Sequence, residues 1–235
     1  MADKFALSCS HSPKPLKIRG ISLATLLAIV LRPKSKTVAR SRQMTLHTSS
    51  GARKYLTAAE RQRFARAADT LAPEPRLFCL LLMWSGCRIS EAIAVTPLMI
   101  NREGGTVAFL TLKRRTETVV RQIPIPPSLM SELVQHFDLA RRESDPYQRT
   151  ARLWRWSRST AWRYVKTAMK RAGLSGSAAM PKGLRHTFGV AAFQAVPPHI
   201  VQRWLGHASL RTTGIYGDVS GREERLFAAR VWDGW

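Results

Sequence analysis

Between Gly183 and Val219 the chain reads GLRHTFGVAAFQAVPPHIVQRWLGHASLRTTGIYGDV. This stretch gathers three of the six histidines, three arginines and one of the four tyrosines, with Asp218 as its lone carboxylate. Enzymes that work through paired carboxylates do not look like this, and neither do carboxylate-rich metal sites. A tyrosine hydroxyl, with a pKa near ~10, is a weak nucleophile at neutral pH. Fixed cations stabilise its anion and the phosphoryl transition state it attacks. Two arginines grip non-bridging phosphate oxygens with forked donors that lysine lacks. A lysine or histidine then protonates the departing 5′ oxygen. Such a set calls for no metal and no other cofactor. It is suited to breaking a DNA phosphodiester through a covalent phosphotyrosine.

The bulk composition points the same way. The chain has 235 residues and a net charge of +23, from 38 Lys and Arg against 15 Asp and Glu. A surplus of this size calls for a polyanionic partner, with nucleic acid first and an anionic membrane surface second. Hydrophobic residues make up 45%, enough for a packed core. Cys9, Cys79 and Cys87 form no CxxC and no even set, which argues against a disulfide framework and for a reducing, cytoplasmic setting. The apolar run GISLATLLAIVL, residues 20–31, is too short to span a bilayer. No A-x-A site follows it to mark a cleaved leader.

Residues 1–54 carry eleven Lys and Arg and one acid, Asp3, and read as a flexible basic arm. Residues 55–235 read as the folded domain. Thr57 and Glu60 form a capping box before the stripe Phe64, Ala67, Ala68 and Leu71. RLFCLLLMW, residues 76–84, is apolar all round and reads as a buried helix. A turn at Ser85 and Gly86 leads into a helix through Val95. TVAFLTL (106–112) and ETVVRQIPI (117–125) read as a hairpin with Lys113, Arg114 and Arg115 at its tip. Helices then resume over 128–140, 159–172, 183–195, 198–206, 211–216 and 223–232. The expected fold is mainly α with one small antiparallel sheet, an α+β arrangement. RTARLWRWSRSTAWRYVKTAMKRAG, residues 149–173, interleaves cations with Trp154, Trp156, Trp162 and Tyr164. It reads as a nucleic-acid face with Arg158, Arg163 and Lys166 toward the duplex and Trp162 turned inward.

These motifs together resemble the tyrosine recombinases, or phage integrases, over residues 55 to about 232. SGCRISE matches that family's first arginine motif and yields Arg88 and Glu91. KGLRHTF matches the second and yields Arg185 and His186. LGH supplies His207, and the tyrosine nine residues later is Tyr216. Lys113 best matches the family's hairpin lysine. The resemblance implies a tyrosine recombinase catalytic domain in which Tyr216 is the nucleophile. Arg88, Arg185, Lys113, His207 and Lys182 are its catalytic partners, and Glu91 and His186 brace them. It implies double-stranded DNA as substrate, a homo-oligomer on DNA (a dimer per site and a tetramer in synapsis), no membrane, and an amphipathic C-terminal helix that docks on a neighbouring protomer.

Two departures stand out. Lys182 occupies a position that is usually His. A helical domain usually precedes the catalytic one; the resemblance implies either a short form with a basic arm in its place, like fimbrial-switch or Xer-like recombinases, or a truncated gene. Integration, excision, inversion and resolution all remain open on sequence. So do a type IB topoisomerase with the same residues, a non-catalytic DNA-binding accessory protein and a basic RNA-binding protein. A packed core histidine is the plain alternative for His186, and a helix cap for Arg88 or His207.

Overall fold

Thr57 caps the first helix, α1 (Ala58–Ala68). Its Oγ1 accepts from Glu60 N at 3.3 Å while the Glu60 carboxylate accepts from Thr57 N at 2.8 Å. The computed structural model describes residues 45–111, 119–217 and residue 229. The basic segment up to residue 44, the hairpin-tip cations Lys113, Arg114 and Arg115, and almost all of the expected C-terminal helix lie outside those residues. Among the described residues no helix is long and apolar enough to cross a membrane.

Helix α2 (Pro73–Ser85) starts on a proline, whose missing N–H costs nothing in the first turn. It buries Leu77, Phe78, Leu80, Leu81 and Leu82, each contributing about 1.5–3 kcal/mol on leaving water. As its apolar circumference predicts, α2 is the central helix. Around it pack α1, α4 (Pro127–His136), α6 (Arg158–Arg171) and α7 (Pro181–Ala195). Its single tryptophan, Trp84, reaches the surface, where the Arg61 guanidinium covers the ring at 5.8 Å. The short α3 (Ile89–Ile93) follows at once.

The expected hairpin is present as β2 (Thr106–Thr111) and β3 (Val119–Pro124), antiparallel, with Phe109 opposite Arg121. A third strand, β1 (Ile100–Asn101), pairs with β2. At two residues it is too short to leave a pattern. The helix expected over 128–140 is two helices, α4 and α5 (Leu139–Ser144). Between them Asp138 adopts φ 46°, a left-handed conformation that Asp tolerates better than most residues.

On α6, Arg158 and Arg163 face solvent as expected, but Trp162 and Lys166 depart from the orientations expected of them. Ala161, Val165, Ala168 and Met169 form its buried stripe, which leaves Trp162 at 45% exposure. Lys166 instead folds back, donating to Ala179 O at 2.8 Å with its Nζ 5.9 Å from the Trp162 ring centre. Trp154 is core, wedged edge-on between Phe78 and Phe137. The chain ends its described part with α8 (Pro198–Leu205) and α9 (Leu210–Gly214).

Candidate active site

Helix α7 carries the densest part of the site. Arg185, His186, Thr187 and Gly189 all lie on its buried surface. Arg185 Nη1 donates to Gly86 O at 2.9 Å, and its Nη2 donates to Leu205 O at 2.5 Å. One guanidinium therefore holds the turn after α2 and the last carbonyl of α8. The last carbonyls of a helix have no partner within it, and a cation there also meets the negative end of the helix dipole. Burial, and then the neighbouring Arg88 charge, lower the Arg185 pKa to about 10, so it stays protonated at neutral pH.

Arg88 caps the start of α3. Glu91 accepts from Arg88 N through Oε2 and from Arg88 Nη1 through Oε1, both at 2.7 Å. The Arg88 side chain keeps 32% of its surface open while the Glu91 side chain keeps 5%. This is the geometry of an arginine aimed outward and anchored from below.

Tyr216 follows α9 and is fully buried. Its hydroxyl lies 3.5 Å from His186 Nδ1. Its ring stacks on that of His207 at 5.9 Å between centres, tilted by only 15°. Gly189 makes the seat, since a Cβ at that position would meet the Tyr216 ring at 2.4 Å. Burial pushes the Tyr216 hydroxyl up to about 12, against the Arg185 and Arg88 charges that pull it down. His186 is held the other way. Burial, then Lys182 one turn earlier and Arg185, push it down to about 4, so its ring is neutral at physiological pH.

His207 is placed by the end of α8. Gly206 adopts φ 62°, its N–H bonds to Arg203 O, and His207 N bonds to Gln202 O. This pair of bonds is a Schellman ending, and the left-handed residue it requires is why a glycine precedes the histidine. His207 Nδ1 pairs with the buried Thr213 hydroxyl at 3.1 Å.

The entering chain forms the floor. Leu46 and Tyr55 pack in one cluster with Val190, Val201, Leu205 and Tyr216. Leu56 N donates to Thr187 Oγ1 at 2.8 Å. The segment just before Tyr55, placed in the arm on composition, thus includes a residue packed beneath the site.

The structure therefore brings together Arg88, Arg185, Glu91, His186, His207 and Tyr216. Lys182 stays exposed at the rim, on the first turn of α7. Arg158 and Arg163 lie exposed on α6. Lys113, Arg114 and Arg115 lie outside the described residues.

Arg121 belongs to the cluster and was missed. It donates through Nη2 to Glu91 Oε2 at 2.5 Å and through Nη1 to Trp204 O. Its burial was legible, though its partners were not: Arg121, Ile123 and Ile125 alternate on one face of β3 and the residue after it, so a charge stands among residues bound for the core. Cys87, beside Arg88, is fully buried, and burial pushes its thiol up to about 12. It is packing rather than a nucleophile.

The comparisons agree with this fold. Tyrosine recombinase XerA from Pyrococcus furiosus is 36% identical over 153 residues, covering 63% of this chain and 51% of that protein. This chain thus spans about half the length of that relative. The crystal structure of XerA recombinase superposes with a TM-score of 0.63 at 22% identity, covering 75% of this chain and 64% of that one. The XerH recombinase bound to a palindromic difH substrate, in a post-cleavage complex, gives 0.60 at 20% identity, covering 76% and 53%. Residues 54–223, most of the molecule, match the phage integrase family, and the chain belongs to it.

Proposed function

We propose that this chain is a site-specific DNA recombinase that cuts and rejoins double-stranded DNA through a 3′-phosphotyrosine on Tyr216. The observation that carries the reading is the convergence of Arg88, Arg185, His207 and Tyr216 from four separate segments onto one buried site. The Tyr216 oxygen attacks the scissile phosphorus, the phenolic proton passes to water, and the O–P bond to the 5′ oxygen breaks as that oxygen takes a proton from Lys113. Arg88 and Arg185 hold the non-bridging oxygens and the charge that builds on them. His207 lies against the nucleophile's ring and hydrogen-bonds the phosphate. Lys182, at the rim, supplies a further donor. Neutral His186 keeps the Tyr216 hydroxyl hydrogen-bonded without adding a charge beside the arginines. Glu91 braces Arg88.

The DNA substrate is supported by the net charge and by the DNA-bound state of the XerH structure. Arg114, Arg115, Arg158 and Arg163 are assigned to phosphate contacts; Lys166, whose Nζ donates to Ala179 O, is not. The reading also holds that two protomers occupy each site and four meet in synapsis. The basic arm up to residue 54 adds affinity that does not depend on sequence. The two buried cysteines Cys79 and Cys87 are free, which suits a cytoplasmic, DNA-associated protein.

The test is a nicked suicide duplex bearing a half-site selected from random DNA by this protein. The wild type forms a covalent adduct on it. Tyr216→Phe binds the same duplex and forms none. An adduct of normal yield from the Phe variant would sink the assignment, and binding without an adduct from the wild type would favour an accessory protein. Relaxation of supercoils without partner exchange would instead point to topoisomerase chemistry.

A further inference from the structure

Arg121 sits where an arginine is hard to keep. Its side chain is 1% exposed, it faces Phe109 across the β2–β3 pair, and its Nε has no hydrogen-bond partner among the described residues. Buried ion pairs add little net stability over apolar residues of similar size, and an unsatisfied donor makes this one worse. Stability alone is a poor reason for its presence, and the contacts it makes supply a better one.

Glu91 receives two guanidinium groups. Arg88 approaches Oε1 at 2.7 Å from the open side, and Arg121 approaches Oε2 at 2.5 Å from the core. With Arg88 alone, the carboxylate would cancel the one charge that faces outward and draw it down. With Arg121 present, the three groups together keep one net positive charge, and the member able to reach solvent is Arg88. The second Arg121 hand, Nη1, donates to Trp204 O, one residue before the carbonyl that Arg185 holds. Arg121 thus also fixes the end of α8, from which the Gly206 turn presents His207. The fit is tight, since a Cβ on Gly206 would meet Arg121 Cδ at 2.6 Å.

We infer that Arg121 is a positioning residue of the site: it offsets Glu91 so that the Arg88 charge is left for the scissile phosphate, and it anchors the turn that carries His207. The inference rests on the recombinase reading above. Arg121 is too deeply buried to touch DNA.

The experiment compares strand cleavage on the suicide duplex with cleavage on the same duplex carrying a methylphosphonate at the scissile position. That neutral phosphorus has less need of the Arg88 charge. Arg121→Met keeps half-site binding and loses about 10- to 100-fold in cleavage of the phosphate duplex, the range for residues that orient a reactive group. The deficit shrinks on the methylphosphonate. Adding Glu91→Gln to Arg121→Met recovers part of the loss, because the amide no longer competes for Arg88. Arg121→Lys, which keeps the charge with fewer donors, loses less than Met. Equal loss on both duplexes with no recovery from Glu91→Gln would make Arg121 purely structural and overturn the inference. So would unimpaired cleavage by Arg121→Met, a folded Lys variant as poor as Met, or failure of both variants to fold. If the wild type itself forms no adduct, the recombinase reading falls and this inference with it. A wild type that cleaves beside an unaffected Arg121 variant overturns this inference alone.

Discussion

Arg185 and Arg121 on one side, and Arg158 and Arg163 on the other, put the same side chain to opposite uses. The first pair is buried, with terminal nitrogens committed to the carbonyls of Gly86, Leu205 and Trp204 and to the Glu91 carboxylate. The second pair stands on the solvent face of α6. A guanidinium fixed before substrate arrives gains directional strength in a medium that screens little, and reorients little during reaction. A guanidinium in water contributes mainly charge, which salt screens. Orientation therefore resides in the buried set and attraction in the exposed set, and each should fail in its own way.

The sharpest break is Arg185→Lys. It keeps the charge and loses the fork, so cleavage should fall about 100- to 1,000-fold while half-site binding persists. Single-turnover cleavage on the suicide duplex measures it. A loss of only a few-fold would reduce Arg185 to a helix cap and erase the contrast with α6.

His186 extends the buried side to a group that titrates. The folded protein holds its pKa at about 4, below the ordinary 6.5. As pH falls from 6.5, the unfolded chain takes up this proton first, so the stability it contributes is intact above 6.5 and is lost toward 4. At full effect the loss is about 3 kcal/mol. Urea unfolding at pH 7, 5.5 and 4 should show the wild type declining more steeply than His186→Gln. Parallel curves would mean that water reaches the ring.

The smallest effect belongs to the exposed set. If Arg158 and Arg163 each neutralise one phosphate, replacing both with Ala should flatten the slope of log affinity against log salt by about 0.9 per lost contact. Binding isotherms at several salt concentrations decide this. An unchanged slope would move the DNA face off α6.

Much of the buried site was legible because its residues come in fixed local patterns. Arg88 with Glu91 is an i, i+3 pair at a helix start, Gly206 with His207 is a helix ending, and Thr57 with Glu60 is a capping box. Local geometry imposes such spacings, so they survive in one dimension. Trp162 was misplaced because composition alone does not say which side of α6 meets the core. The stripe of Ala161, Val165, Ala168 and Met169 does, and small residues make that stripe easy to overlook. Arg121 was missed for a different reason. Its partners Glu91 and Trp204 lie 30 and 83 residues away, and no local rule links them. The break at Asp138 and the two-residue β1 depend on tertiary packing in the same way.

The cluster that joins Leu46 and Tyr55 to Tyr216, and the bond from Leu56 N to Thr187 131 residues later, also set an order of events in the cell. Such contacts close only after nearly the whole domain has left the ribosome, because the loop between them contains almost every other element. A nascent chain that ends within α6 already displays the cations of that helix. It lacks α7, α8 and α9, and with them the seat beneath Tyr216. Its Leu46 and Tyr55 have yet to meet Val190, Val201, Leu205 and Tyr216, and until then offer apolar surface for chaperones to hold. On the proposed function, competence to sever a strand is thus deferred until α9 has emerged, whereas the cations of α6 are present well before.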